Sequence, residues 1–114
     1  MEAGEKQRAA ADEVVAMIKA KGRKALALPL DVSRQEDFAA FGEAVKAALA
    51  DHWQRTDFDF LINNAGISWG APVEEMRLED WNKVIETNLT GTFLCAQAVG
   101  KVMIRQGRGK IINI

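Results

Sequence analysis

Apolar residues recur along this chain in two rhythms, a helical spacing and short continuous runs, and the two alternate. Over residues 5–21, Ala11, Val14, Val15 and Ile18 fall at helical spacing with Lys and Glu between them, and Gly22 follows as a stop. Residues 25–30 form a short apolar run with strand character. Pro29 cannot donate to a ladder, which places it at an edge or near the strand's end. Asp31, Val32 and Ser33 make the connection, and Ser33 followed by Glu36 has capping-box spacing, so Ser33 is expected to open the next helix. Phe38, Phe41, Val45, Leu49 and Trp53 then step by three and four, the pattern of a buried stripe. A buried strand is expected at 58–62 and a loop at 66–77. One long helix is expected from Glu79 to Ile104, with Trp81, Val84, Ile85, Leu89 and Phe93 on one face. Beyond Phe93 the apolar positions, Leu94, Ala98, Val102 and Met103 among them, spread around that helix, as in a helix covered on several sides. Gly107-Arg108-Gly109 ends it and a strand at 110–114 follows. Alternation of this kind predicts an α/β fold with a parallel sheet and helices on its faces.

Composition narrows the function classes. The 114 residues carry a net charge of −1 with acids and bases interspersed, which gives neither a basic footprint for nucleic acid nor a polybasic membrane patch. No apolar run reaches membrane-spanning length, and the first residues lack the apolar core of a signal peptide. One cysteine, Cys95, gives no internal disulfide, so a reducing cytoplasm is the expected location. Cys95 lies in an apolar helical stretch with no nearby His and is expected to pack in the core rather than react. His52, on the amphipathic helix beside Trp53, is expected on the surface. No metal-ligating cluster is expected.

Chemistry concentrates after the strand at 58–62. Asn63-Asn64-Ala65-Gly66 ends that strand abruptly, and the carboxyl ends of strands are where open α/β sheets bind ligands. Side-chain amides donate and accept, and glycine lets a flat ligand approach the backbone. A turn that merely terminates the strand uses the same residues, and the stretch alone leaves both readings open. Asn88, within Thr87-Asn88-Leu89-Thr90-Gly91, is a polar residue inside the long helix, where it costs helix propensity.

Taken in order, Asp31-Val32 after a strand, Asn63-Asn64-Ala65-Gly66 after the next, Asn88 inside a long helix that begins Glu79-Asp80-Trp81, and Gly107-Arg108-Gly109 before a strand resemble the central part of a short-chain dehydrogenase/reductase. The resemblance covers essentially the whole chain. It is loosely of the 3-oxoacyl-carrier-protein reductase or gluconate 5-dehydrogenase type. It implies a partial Rossmann-like parallel sheet of three strands with three main helices, truncated at both ends, so that residues 1–114 are the central part of a single NAD(P)-binding domain. The implied function is a segment of an oxidoreductase that interconverts a secondary alcohol and a ketone on a small-molecule substrate.

The resemblance also implies roles. Asp31 would bond the adenine amino group of NAD(P), with the Val32 backbone beside it. Asn64, Ala65 and Gly66 would line the cofactor's ribose and central region, and Asn63 would tie neighbouring strands together. Asn88 would be the catalytic asparagine, its main chain holding a water of the proton relay. The family's Gly-rich pyrophosphate turn would lie before this chain, and its Ser and Tyr-x-x-x-Lys beyond it. The chain itself contains no tyrosine. Relatives often place Thr or Ser before the Leu-Glu-Asp-Trp run, where this chain has Arg77, so the cap must come from elsewhere or the helix start frays.

Between the strands at 25–30 and 58–62 the family has two more. Without them the chain can pair its strands in sequence order, pair edges with another copy, or remain partly disordered. The long helix is expected to carry a homo-oligomer contact across 79–104. A non-catalytic interaction module, or a decayed remnant of such an enzyme, is the alternative from a different class. A flavodoxin-like domain is a weaker one, since the chain has neither a phosphate-binding loop nor an acidic phospho-acceptor cluster.

Overall fold

Two glycines in left-handed backbone punctuate the chain at the ends of its longest helices. The computed structural model describes residues 2–114, with side chains from residue 4. Helix α1, Glu2–Ala20, closes at Gly22 with φ +80°, where the Gly22 amide donates to Lys19 and the Arg23 amide to Ile18. Helix α4, Gly91–Gln106, closes at Gly107 in the same way, with Gly107 donating to Ile104 and Arg108 to Met103. Both endings satisfy carbonyls that a helix otherwise leaves unpaired, and both need a residue without a Cβ penalty at positive φ.

By backbone proximity the chain divides into two units. The first is Met1–Pro29 with Ala40–Thr56. It holds α1 and most of α2, Phe38–Ala48, which continues into a π-helical turn at Leu49–Trp53. Phe41, Val45, Leu49 and Trp53 are all half-buried, the stripe that their spacing predicts. On α1, Ala11 and Val15 are half-buried, whereas Val14 and Ile18 are exposed. Lys24 Nζ donates to the His52 carbonyl at 2.6 Å. The His52 side chain is exposed, as expected.

The second unit is Leu30–Ala39 with Asp57–Ile114, and it contains the sheet. Strands β1, Phe60–Asn63, and β2, Lys110–Asn113, run parallel, with Phe60 opposite Lys110 and Asn63 opposite Asn113. Helix α4 lies against both. The α/β class and the parallel pairing are therefore as expected, but the sheet has two strands among the described residues rather than three. The stretch 25–30 forms no ladder. A strand needs a neighbour for its N–H and C=O groups, and no segment here offers one at that position.

The sheet is also more open than its apolar sequence predicts. Leu61 is half-buried, while Phe60 and Ile62, on the opposite face of the pleat, are exposed. Continuous apolar strands belong to sheets covered on both faces. Among the described residues, α4 is the one helix packed closely on this sheet.

Polar groups lock the amino ends of the two strands. The Gln106 amide donates to the carbonyls of Phe58, at 3.0 Å, and Arg108, at 3.2 Å, and accepts from the Phe58 amide at 3.2 Å. The Arg108 guanidinium sits between the carboxylates of Asp57 and Asp59, which hold it more firmly charged than an isolated arginine. Beneath this corner Gly109, at φ +147°, comes so close to the buried Met103 side chain that a Cβ would collide with its sulfur.

The long helix expected at 79–104 spans a similar range but is not one helix. Helix α3, Leu78–Ile85, passes through a π-helical turn, Glu86–Thr90, into α4. Arg77 provides no side-chain cap. Its carbonyl instead accepts from the amides of Asp80 and Trp81, and its guanidinium pairs with Glu79. Glu79 and Asp80 also place negative charge in the first turn, where the helix dipole favours it. The apolar face divides as well. Gly91, Cys95 and Met103 are buried with Val99 half-buried, a four-residue spacing that points one side of α4 at the sheet. Leu89 and Phe93 lie two residues to either side of Gly91, which turns them to the far side of the helix, and both are exposed together with Trp81. Of the residues expected to extend the apolar surface, Met103 is buried, Leu94 and Val102 are half-buried, and Ala98 is exposed.

Candidate functional site

Asparagines close the carboxyl ends of both strands. Asn63 and Asn113 face each other in register, and Asn63 Nδ2 donates to Asn113 Oδ1 at 2.9 Å. That is the strand-tying role expected of Asn63. Beyond it the chain leaves the sheet, and Asn64, Ala65, Gly66 and Ile67 are exposed.

This exposed segment is held by Asn88. The Ile67 amide donates to Asn88 Oδ1 at 2.8 Å, and Asn88 Nδ2 donates to the Ile67 carbonyl at 2.7 Å. A side-chain amide has one donor edge and one acceptor edge, so it can pair a single residue's backbone as a neighbouring strand would. Gly66 lies alongside, with a hypothetical Cβ at ordinary contact distance, 3.5 Å, from Asn88 Oδ1. Asn88 itself is at the middle of the π-helical turn, where the Gly91 amide reaches back five residues to the Glu86 carbonyl. Such single π turns inside α-helices occur frequently at functional sites. The Asn88 carbonyl accepts from the Thr92 hydroxyl at 3.1 Å, so its main chain is engaged from within the helix.

Gly91 connects this turn to the Asp31-Val32 segment. A Cβ on Gly91 would stand 2.7 Å from Val32 Cγ2 and 3.1 Å from the Val32 carbonyl oxygen. The helix therefore approaches the Val32 backbone at a distance only glycine permits. Asp31 is exposed. Its Oδ1 accepts from the Ser33 amide at 2.9 Å and the Ser33 hydroxyl at 2.6 Å. These two bonds, the hydroxyl first, hold its carboxyl below the ordinary carboxylate range, with the charge of Arg34 adding to them.

The capping box expected from Ser33 and Glu36 does not form. A 3-10 turn, Gln35–Asp37, precedes α2, and its cap is Arg34, with no side-chain bond. Ser33 is one residue too early, and its hydroxyl is already committed to Asp31. Arg34 pairs instead with Asp37 at 2.9 Å and Glu36 at 3.4 Å.

The second unit thus brings Asp31, Val32, Gly66 and Asn88 along one stretch of helix, through Gly91. Sequence reasoning singled out those four but missed Ser33, Ile67 and Thr92 as their partners. The signal for Ser33 was present, because Asp followed two residues later by a hydroxyl residue is a local turn pattern. Nothing in the sequence marks Ile67, which takes part only through its backbone. Cys95 is buried, and burial pushes its thiol up, which disfavours the thiolate that a nucleophile needs. Among the described residues no group of His, Cys, Asp or Glu is placed to hold a metal ion. No helix of the described residues is long and apolar enough to cross a membrane.

A parallel α/β unit with asparagines at the carboxyl ends of its strands, and a π turn in the helix beside them, has the arrangement of part of a Rossmann-like sheet. The family model for short chain dehydrogenase matches residues 3–114, and the chain belongs to that family. It is 45% identical over 105 residues to a 3-oxoacyl-[acyl-carrier-protein] reductase of Synechocystis sp., a match over 92% of this chain and 40% of the relative. Among solved structures, the NAD+-bound xylitol dehydrogenase superposes with a TM-score of 0.80 at 32% identity, covering 93% of this chain and 39% of that one. A gluconate 5-dehydrogenase from Burkholderia cenocepacia, in complex with NADP and tartrate, gives 0.72 at 34% identity, over 89% and 37%. The chain spans about 40% of the length of the curated relative it matches.

Proposed function

We propose that residues 1–114 are the central part of a single NAD(P)-binding domain, in a cytoplasmic oxidoreductase that interconverts a secondary alcohol and a ketone. The observation that carries this is the Asn88 clamp on Ile67, with Val32 packed against Gly91 on the same helix. It orders the three segments that the family resemblance assigns to the cofactor and the proton relay. The residues present fit the adenosine side of a dinucleotide. Among the described residues, Asp31 has one carboxylate oxygen bonded by Ser33 and the other without a hydrogen bond, and Asn64, Ala65 and Gly66 are exposed at the strand end. Bound there, the cofactor would supply or accept the hydride. Asn88 commits its side chain to Ile67, so a relay water would be held at its carbonyl oxygen, which it would share with the Thr92 hydroxyl. The relatives' cofactors and their 3-oxoacyl and gluconate names support a dinucleotide and a small carbonyl or alcohol substrate.

The test is a hybrid enzyme in which residues 3–114 replace the matching stretch of the Synechocystis relative. Dinucleotide-dependent reduction of a ketone is the expected result. A hybrid that folds, by circular dichroism and mass, yet binds neither NADH nor NADPH would overturn the assignment.

The exposed stripe of Trp81, Leu89 and Phe93 favours a second property, self-association through the helix at 79–104. Exposed apolar surface on this scale is commonly buried against a second copy. Phe93→Glu is expected to lower the mass seen by light scattering at unchanged helix content. A mass that does not change, or an unsubstituted chain that is already a monomer, removes this reading.

A further inference from the structure

We propose that Ser33 is a positioning residue for cofactor selection: it fixes one carboxylate oxygen of Asp31 so that the other accepts from an exocyclic amino group of the bound base. The inference rests on the reading that Asp31 meets the adenine, and it goes beyond it by assigning that discrimination to a second residue.

Three observations carry it. First, both Ser33 donors, the amide at 2.9 Å and the hydroxyl at 2.6 Å, converge on the same oxygen, Asp31 Oδ1. A carboxylate held at one oxygen by two donors cannot rotate freely, and its second oxygen keeps a defined direction. Second, the hydroxyl is not needed elsewhere. The helix that follows is capped at Arg34 without any side-chain bond, so Ser33 is not serving as the cap that its position suggests. Third, the nearest cation does not close the carboxylate off. The Arg34 guanidinium is engaged by Asp37 and Glu36, while the Arg34 amide donates to the Asp31 carbonyl at 3.0 Å. Among the described residues Asp31 has no ion pair, and it is left exposed with its carboxyl pushed toward the ionised form, the state in which a carboxylate accepts most strongly from a neutral amine. From below, Val32 is held against Gly91, so the turn carrying Asp31 has a fixed base.

The experiment uses the hybrid enzyme and two ligands, NADH or NADPH, whichever binds tighter, and its deamino counterpart, in which oxygen replaces the 6-amino group of the base. That exchange removes the donor and presents an acceptor to Asp31. Unsubstituted hybrid is expected to prefer the amino form by about tenfold, the scale of a hydrogen bond to a charged group. Ser33→Ala is expected to reduce that preference to about threefold or less, with affinity for the deamino form nearly unchanged, and Ser33→Thr to keep the original preference. A Ser33→Ala variant that weakens both ligands alike, or that retains the full preference, would show that Ser33 only closes the turn. Asp31→Ala separates the two levels of the inference. If it leaves the preference intact, Asp31 does not meet the base and the underlying reading falls, whatever Ser33 does. If it abolishes the preference while Ser33→Ala does not, only the role of Ser33 falls. A hybrid that binds neither ligand overturns both.

Discussion

Purified as the 114-residue chain, this protein is expected to oxidise no NAD(P)H on any ketone above the blank. The family's reaction needs a proton donor at the carbonyl oxygen, and its members use a tyrosine whose pKa a nearby lysine lowers. This chain has no tyrosine. Proton transfer by a positioned side chain contributes roughly 10²–10⁴-fold in rate. The single histidine, His52, is exposed, and the single cysteine, Cys95, is buried, with burial pushing its thiol up. The chain also has no Thr-Gly-x-x-x-Gly-x-Gly turn to seat a pyrophosphate. The measurement is absorbance at the nicotinamide band with a panel of ketones, beside the hybrid enzyme as positive control. Turnover by the chain alone would mean that another group supplies the proton, and the inactivity expected here would be wrong.

In the hybrid, Asn88→Ala is expected to lower turnover about a hundredfold or more while cofactor affinity changes far less. A group that acts in a proton relay is felt in the transition state rather than in binding. The clamp on Ile67 sharpens the expectation. Alanine removes both bonds to the Ile67 backbone. Aspartate keeps the acceptor for the Ile67 amide but sets an oxygen against the Ile67 carbonyl. Asn88→Asp should therefore loosen the segment after β1, and hydrogen exchange at the Ile67 amide should report that independently of rate. If the substitutions instead weaken cofactor binding while turnover at saturating cofactor is unchanged, Asn88 belongs to the dinucleotide site and not to the relay.

These two expectations draw on different sources, and the difference marks how much was legible in the residues. The missing tyrosine, the order of helices and strands, the stops at Gly22 and Gly107, and the strand-end asparagines are all properties of local sequence. They could be read because helix spacing, left-handed caps and apolar runs depend on residues within a few positions of one another. The resemblance to short-chain dehydrogenases was carried by the same short motifs, and the family match bears it out.

What the residues could not convey depends on contacts distant in sequence. Asn88 and Ile67 are twenty-one residues apart, and their pairing uses a backbone that no side-chain pattern marks. The π turn at Glu86–Thr90 interrupts a stretch whose composition is simply helical. Gly91 looked like a glycine flanking a motif, and only its approach to Val32 explains why no larger residue fits. Ser33 shows the limit most clearly. Its spacing to Glu36 satisfied a capping pattern, but its hydroxyl bonds an acceptor two residues back, and the turn that follows is capped at Arg34 without a side-chain bond. Local sequence by itself determined where the helices lie, where the first and last of them stop, and which asparagines end the two paired strands. Tertiary structure decided which apolar face of the helix is covered, whether residues 25–30 find a strand partner, and which donors the candidate site residues meet. A hydrogen bond or a packed face exists only where folding brings its second member within reach.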